Sequence, residues 1–398
     1  MIFFHILILI MTNQLGQFFT KNIVLKEKLY DFIFNNPTHI LEPSIGQGDL
    51  VSFVLQKNKN IIFDMYEIDS NIELLNNIEK NKIIYGDFLT QSIEKTYITI
   101  IGNPPYIRTK TGNLYIDFTQ KCYDLLDNNG ELIFIVPSDF FKLTSASKLL
   151  NIMMKNGTFT HIFHPHNEKM FDNASIDVII FRYCKNNLLE KKVIYNEKLL
   201  YITNSNGLIV FQEKINDSNV KFNDIFDIYV GFVSGKESVY KNNILGNIEI
   251  LNSENKIDKY IYIENFPSTD EKINEYLLDH KKELLQRRMK KFNENNWFEW
   301  GALRNKKTIV SNLDKDCIYI SLLTRKKNVS FLGKIGYFGG GLIMLKPKKE
   351  DLNLNKTISY LNSDLFKNNF IFSGRFKIGH RQLCNSFIPL EFLDSSYI

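Results

Sequence analysis

Four short apolar runs in the first part of the chain each stop on a polar corner. His39-Ile40-Leu41 ends on Glu42, and the run 61–66 ends on Glu67. Ile83-Ile84-Tyr85 leads into Gly86-Asp87-Phe88, and Ile98-Thr99-Ile100-Ile101 into Gly102-Asn103-Pro104-Pro105-Tyr106. Runs of this length and composition read as strands. Between them the apolar spacing turns helical, over 22–36, 50–56 and 72–78, and again over 115–126, where Asn128-Asn129-Gly130 is a stop signal. A fifth strand is expected over 131–136. Strands alternating with helices at this interval call for a parallel sheet covered on both faces, with any ligand beyond the carboxyl ends of the strands. Glu42, Glu67, Asp87 and Asn103 all fall at that end.

The chain has 398 residues, 44% of them hydrophobic, enough for a large core divided into two domains or three. A net charge of +5 is too small to identify a polyanionic partner by itself. Cys122, Cys184, Cys317 and Cys384 are scattered, which points to a reducing compartment and against a disulfide frame or zinc knuckle. His161, His164 and His166 have no cysteine or carboxylate at ligand spacing, so no metal site is expected. The opening MIFFHILILI is too short to span a bilayer and lacks the basic region and cleavage site of a signal peptide. Met11 reads as a natural start, with residues 1–10 an upstream extension or an arm. No other apolar run approaches membrane length, and a soluble protein is expected. After about residue 190 the sequence turns Asn- and Lys-rich, with short strand-like runs such as 225–233. A boundary is placed within 185–198, giving domains over 11–190 and 198–398.

The corners carry the chemistry. Glu42-Pro43-Ser44-Ile45-Gly46-Gln47-Gly48 is a glycine-rich turn that lets backbone approach a ligand closely. It lacks the third glycine of a dinucleotide fingerprint, and an acid ahead of it repels a pyrophosphate but can hold an ammonium. Glu67 could take both hydroxyls of a ribose. Asp87 could accept from the exocyclic amine of a purine, with Phe88 against the ring. Amino group, ribose and adenine together describe S-adenosylmethionine. At the fourth corner two prolines remove two backbone donors, fix φ at about −65° and hold Asn103 extended. The Asn103 side-chain oxygen and the Pro104 carbonyl can both accept from one exocyclic NH2, which favours attack of its lone pair on a methyl group. Tyr106 offers a flat face to a planar base. A base inside a duplex cannot reach such a corner and has to be flipped out.

In order, Gly16-Gln17-Phe18-Phe19-Thr20, the 42–48 turn, Tyr66-Glu67-Ile68-Asp69, Gly86-Asp87-Phe88 and Asn103-Pro104-Pro105-Tyr106 resemble the motifs of the gamma group of DNA adenine-N6 methyltransferases of restriction-modification systems. The resemblance covers about residues 12–184 by motif and the rest by position and character. It implies an α/β, Rossmann-like S-adenosylmethionine-dependent methyltransferase domain followed by a mixed α+β DNA-recognition domain. It also implies roles. Thr20 closes over the methionine end of the cofactor, and Glu42 and Ser44, on the turn with Gly46, contact its amino-acid part. Glu67 binds the ribose with Ile68 against the adenine, which Asp87, Phe88 and Pro105 surround. Asn103 and Pro104 hold the target amino group, and Tyr106 stacks on the flipped base. Met170-Phe171-Asp172-Asn173-Ala174-Ser175 looks like the family's late motif, with Phe171 on the other face of the base. The implied partners are double-stranded DNA and, where one exists, a separate cognate restriction endonuclease. Neither a metal nor a membrane is implied, and the simplest assembly is a monomer in the cytoplasm, on nucleoid DNA.

Three later segments are basic. Residues 281–307 hold nine Lys and Arg against three acids, and 321–349 hold seven against none. Residues 367–381 set Lys367, Arg375, Lys377 and Arg381 among Phe370, Phe372 and Phe376. Lys and Arg neutralise phosphates, so these segments read as a DNA-grasping surface. Residues 231–236, Gly-Phe-Val-Ser-Gly-Lys, read as a mobile loop with an anion-friendly tip, short of phosphate-loop spacing. Trp297-Phe298-Glu299-Trp300 and Gly339-Gly340-Gly341 read as an aromatic cluster and a tight turn. Two other classes stay open. Enzymes that methylate a protein glutamine, and some that act on ribosomal RNA, share Asn-Pro-Pro-Tyr. The glutamine enzymes usually carry a helical domain in front and stop soon after the late strands, whereas here half the chain follows. A non-catalytic specificity subunit is disfavoured by the intact Asn103-Pro104-Pro105-Tyr106.

Overall fold

A computed structural model describes residues 16–109, 112–172, 174–188, 191–213, 219–288 and 292–393. The possible upstream extension 1–10, and Asn173 of the late motif, lie outside the described residues. The described chain forms two compact units. One holds the residues up to 213 together with Phe372–Gly374, and the other holds the remaining residues from 219 onward.

The first unit is built on a ten-stranded sheet. Its strands are β1 (His39–Glu42), β2 (Ile62–Glu67), β3 (Ile83–Tyr85), β4 (Tyr97–Gly102), β5 (Leu126–Pro137), β6 (Gly157–Phe163), β7 (Val178–Lys185), β8 (Lys192–Tyr195), β9 (Lys198–Ser205) and β10 (Leu208–Gln212). Their order is β10-β9-β8-β6-β7-β5-β4-β1-β2-β3. β3, β2, β1, β4 and β5 pair in parallel, and β7 lies antiparallel between β5 and β6. The helices are α1 (Ile23–Asp31), α2 (Asp49–Lys57), α3 (Leu114–Asp124) and α4 (Ser147–Lys155). Successive strand residues point to opposite faces. Ile40, Ile101 and Ile133 therefore pack with Leu25 and Leu29 of α1 and with Leu50 and Val54 of α2. Leu41, Ile100 and Leu132 pack with Phe118 and Cys122 of α3 and with Leu150 of α4. Strands covered on both faces read as continuous apolar runs, which is why these were visible in the sequence.

One buried carboxylate ties the sheet to the chain crossing its amino-terminal edge. Glu131 accepts the Phe34 and Asn35 amides at 3.1 Å, the Thr99 hydroxyl at 3.0 Å and Arg182 Nε at 2.7 Å. Thr99→Val deletes one of these bonds and leaves the others, so unfolding in urea should show a loss of about 1 kcal/mol at unchanged m-value.

Two expectations for this part of the chain need correcting. The helix expected over 72–78 does not form. The backbone finds other partners in and just before the segment: Asp69 Oδ1 accepts the Asn71 amide at 2.9 Å, and the Leu75 amide donates to the Gln47 carbonyl at 3.0 Å. Ile78 then packs beneath Gly48, where a Cβ would lie 2.5 Å from its Cγ1. The boundary expected within 185–198 is displaced as well. β8 pairs in parallel with β6, matching His161 to Ile194, and β9 and β10 continue the sheet to 212. The change in composition marks the half-exposed margin of the sheet, not its end.

The second unit is mixed α+β. Its strands are β11 (Asn219–Lys221), β12 (Phe226–Val230), β13 (Ile248–Ser253), β14 (Lys256–Tyr260), β15 (Asp316–Ser321), β16 (Leu323–Thr324), β17 (Ser330–Lys334), β18 (Leu342–Pro347), β19 (Ile371–Phe372), β20 (Arg375–Lys377) and β21 (Phe387–Pro389). The main sheet runs β12-β18-β15-β17, and β16-β20-β19 form a smaller one. Trp297 and Trp300 are buried, with Trp300 Nε1 donating to the Ile261 carbonyl at 2.9 Å. Residues 231–236 are woven in, contrary to the loop expected there. The Phe232 amide donates to the Phe338 carbonyl, Val233 and Ala302 exchange backbone bonds, and Lys236 pairs with Glu283. Burial of Phe232 explains the docking. Among the described residues no helix is long and apolar enough to cross a membrane, and no group of three or more His, Cys, Asp or Glu could hold a metal ion.

Candidate active site

Parallel pairing places the carboxyl ends of β1, β2, β3 and β4 along one edge, and a cavity of about 220 Å³ opens there. Thr20, Glu42, Ser44, Gly46, Glu67, Ile68, Asp87, Phe88, Pro105 and Asn103 all line it. Pro104, Tyr106 and Phe171 do not line it.

Glu42 lies at the base, 1% exposed, with Oε1 accepting the Ser44 amide at 3.1 Å. Burial pushes its carboxyl up to about 8, against the Ser44 amide and with the Glu67 charge adding to the rise. Gly102 opposite has no side chain to spare, since a Cβ there would stand 3.0 Å from Glu42 Oε1. The turn from β1 to α2 uses Gly46 at φ +58° and Gly48 at φ +93°, the left-handed region that suits glycine. That turn aims the Gly46 amide at Glu67 Oε2, 2.9 Å away. Glu67 Oε1 accepts the Ile68 and Asp69 amides at 3.0 Å each. Burial raises the Glu67 pKa, and these three amides oppose the rise. Asp87 is exposed at the rim, with Oδ1 on the Leu89 amide. Phe88 stacks on Phe118 at 5.4 Å, and Lys121 of α3 fixes the loop by donating to the carbonyls of Phe88, Leu89 and Gln91.

Asn103 is held by the segment ahead of α1. Its Nδ2 donates to the Phe18 carbonyl at 2.7 Å and to Thr20 Oγ1 at 3.0 Å. With both amide hydrogens engaged, Oδ1 is the acceptor end, and it takes the Tyr106 hydroxyl at 2.5 Å. Tyr106 also reaches the Ile135 carbonyl at 3.2 Å, and burial raises its phenol well above the ordinary value, so the hydroxyl stays a donor. The Tyr106 and Phe171 rings touch each other, 6.3 Å between centroids. Phe18 stacks on Tyr106 at 5.4 Å and leans on Phe171 at 5.8 Å. As the three rings stand, no planar group fits between Tyr106 and Phe171. The stems of the loop carrying Phe171 are joined by His164 Nε2 and Asp177 Oδ1 at 2.7 Å, and Asp177 Oδ2 accepts the Ser138 hydroxyl at 2.6 Å.

The cavity-lining residues Gln17, Phe18 and Asp49 were given no role in the sequence reading, whereas Ser44 was. Gln17 Nε2, Ser44 Oγ and Asp49 Oδ2 are buried without a hydrogen-bond partner, and Gln17 and Asp49 were not singled out. Phe18 was quoted only as part of a motif. Asp49 follows the glycine turn directly, and a carboxylate in the first turn of a helix is the signal that was available. Buried polar atoms without partners are rare in folded proteins and here face one cavity. A donor, a hydroxyl and carboxylates arranged so suit a ligand with an ammonium, a carboxylate and a hydroxylated ring.

The family profile of the Eco57I restriction-modification methylases matches residues 47–171. The chain is 31% identical over 205 residues to the type II methyltransferase M.HincII of Haemophilus influenzae, covering 46% of this chain and 40% of that protein. It is 41% identical over 102 residues to the ribosomal RNA small subunit methyltransferase A of Mesomycoplasma hyopneumoniae, covering 24% of this chain and 39% of that one. Thus the chain spans about two fifths of the length of these curated relatives. Among solved structures, the type IIL restriction-modification enzyme MmeI in complex with DNA superposes with a TM-score of 0.60 at 11% identity, over 91% of this chain and 63% of that one. That likeness shows a shared fold. The profile match over 47–171 takes in the end of the glycine turn, the corners at Glu67, Asp87 and Asn103, and Phe171, so it is the part of the chain carrying these corners that is similar to the Eco57I restriction-modification methylases.

Proposed function

We propose that this protein is a site-specific DNA methyltransferase that moves a methyl group from S-adenosylmethionine to the N6 amino group of an adenine flipped out of a duplex, as the modification enzyme of a restriction-modification system. The observation that carries the reading is the Asn103 carboxamide. Its nitrogen is spent on Phe18 and Thr20, its oxygen keeps a lone pair beyond the one Tyr106 uses, and the residue lines an acid-floored cavity.

S-adenosylmethionine, when bound, supplies an electrophilic methyl group. Glu42 and Asp49 would hold its ammonium, Gln17 Nε2 its carboxylate and Glu67 its ribose. Asp87 and Phe88 would flank its adenine. Asn103 Oδ1 and the Pro104 carbonyl accept the two hydrogens of the target amine and keep its lone pair aimed into the cavity. A base has to enter against Tyr106, so Phe18 must leave the face it covers. The Phe171 loop, stapled at its stems by His164 and Asp177, then closes on the other side.

Tyr106→Phe separates holding from stacking. The ring stays and the hydroxyl on Asn103 goes, so kcat should drop about ten-fold with KM for DNA little changed, the size of one lost hydrogen bond. Steady-state kinetics on a methylatable duplex would show it, and a rise in KM alone would contradict the assignment.

The similarity to a ribosomal RNA methyltransferase favours RNA as the alternative acceptor. Modified-base sequencing of DNA from cells expressing the chain, beside nucleoside analysis of their ribosomal RNA, decides between them. N6-methyladenine at one repeated DNA sequence supports the proposal, whereas methylation confined to RNA overturns it.

A further inference from the structure

The three basic segments fare differently once folded, and the difference singles out one face of the second unit. In 281–307, Lys281 pairs with Glu294 and Lys306 with Glu264, and Arg287 is buried on the carbonyls of Leu284, Ser234, Glu299 and Trp297. Lys290 and Lys291 lie outside the described residues. In 321–349, Lys334 pairs with Asp316, Lys346 with Asp227, and Lys348 donates to the Asn223 carbonyl. These cations serve the fold. Lys282, Arg288, Arg304 and Lys307 are exposed as well, at scattered positions, and what sets Arg325, Lys326 and Lys327 apart is that they form one run. These three are exposed, and no described carboxylate pairs with them.

They sit on the turn that follows β16, and β16 pairs antiparallel with β20, matching Leu323 to Lys377 and Thr324 to Phe376. One step further, the register sets Arg325 opposite Arg375. The stretches 325–327 and 375–377, far apart in sequence, thus meet on one small sheet. Lys367 Nζ donates to the Lys327 carbonyl at 3.2 Å and pins the turn in place. Arg375 Nε is buried with no acceptor. Like charges facing across a ladder destabilise it, and a buried N–H without a partner does so too. Both liabilities are relieved by an anion with several oxygens seated on the crest.

We propose that Arg325, Lys326, Lys327, Arg375 and Lys377 form the crest that grips the phosphate backbone of duplex DNA, while the ion-paired lysines of the other segments take no part. The inference rests on the DNA reading above and names the face that reading needs. A turn of three consecutive long cations suits repeating phosphates, which fix position on the duplex without reading its sequence.

The test is the salt dependence of binding between the full-length protein and a fluorescent duplex, followed by anisotropy. Neutralising Arg325, Lys326 and Lys327 together with glutamine should make the slope of log K against log salt shallower by about 2.7, near 0.9 per lost phosphate contact. Between about 50 and 200 mM salt, the unaltered protein should therefore lose about 40-fold more affinity than this variant. A control with Lys281, Lys306 and Lys334 changed to glutamine removes the same net charge and should keep the original slope. Arg325→Gln alone should remove about 0.9 from the slope, and S-adenosylmethionine binding monitors folding in every variant. Equal slopes for the neutralised crest and the unaltered protein overturn the proposal while duplex binding stands. If the unaltered protein binds cofactor but no duplex at any salt, the DNA reading falls as well.

Discussion

Replacing Asn103 with alanine is expected to lower methyl transfer by about 10²–10³-fold while duplex affinity stays within a small factor, the cost of deleting one preorganised hydrogen-bonding group at a reacting centre. The effect is large because only the Pro104 carbonyl would then be left to orient the amine. No base is needed to remove a proton before attack, and what speeds the step is the direction of the nitrogen lone pair. The side chain also holds the Phe18 carbonyl and Thr20 Oγ1, so alanine should loosen the segment covering the cavity and weaken cofactor binding modestly. Two measurements separate these effects: cofactor affinity by calorimetry, and single-turnover transfer at saturating cofactor. Asn103→Asp is the informative companion. It keeps an acceptor oxygen but sets a carboxylate against two acceptors that Nδ2 now satisfies, so it should not rescue the rate. Single-turnover transfer at the normal rate in the alanine variant would leave the Asn103 assignment without support.

The parts legible in the sequence were those fixed by local signals. Glu42 ends β1, Glu67 ends β2, Asp87 follows β3 and Asn103 follows β4, because a strand buried on both faces must be apolar until it leaves the sheet. The glycines at 46 and 48 were readable for a similar reason, as their positive φ angles answer a turn that few other residues accept. What depended on distant partners was not legible. The apolar spacing of 72–78 was real, yet Ile78 uses it to fill the space beneath Gly48 and not to form a helix. β8 pairs with β6, and β9 and β10 extend the sheet from it, through contacts that composition does not announce. The lysines at 281, 306, 334 and 346 looked like the rest of the positive charge until their carboxylate partners came into place. The closed triangle of Phe18, Tyr106 and Phe171 depends on three segments meeting, and no one of them foretells it.

Glu42 carries the second large effect, and its sign follows from where its proton sits. Burial, with the Glu67 charge adding and the Ser44 amide opposing, pushes its carboxyl from an ordinary 4.5 up to about 8. In the ligand-free protein at pH 7 the group therefore holds its proton. A cation seated on it favours the carboxylate, so binding S-adenosylmethionine at pH 7 should release about 0.9 proton from Glu42 and almost none above pH 9. Calorimetric titrations in buffers of different ionisation heat measure the release. The cofactor's own amine contributes equally to a Glu42→Gln variant, so the difference between the two proteins isolates Glu42. The same shift makes a stability prediction. A carboxyl whose folded pKa lies above its unfolded one costs stability as pH rises. The ligand-free protein should lose on the order of 4 kcal/mol between pH 4.5 and 8 from this group, and Glu42→Gln should remove that slope while weakening cofactor binding. Saturating cofactor should flatten the slope in the unaltered protein, because the charge that burial penalises then has a partner. If proton release at pH 7 is the same with glutamine at position 42, the ammonium is seated elsewhere, and Asp49, whose carboxyl burial also raises, becomes the acid that holds it.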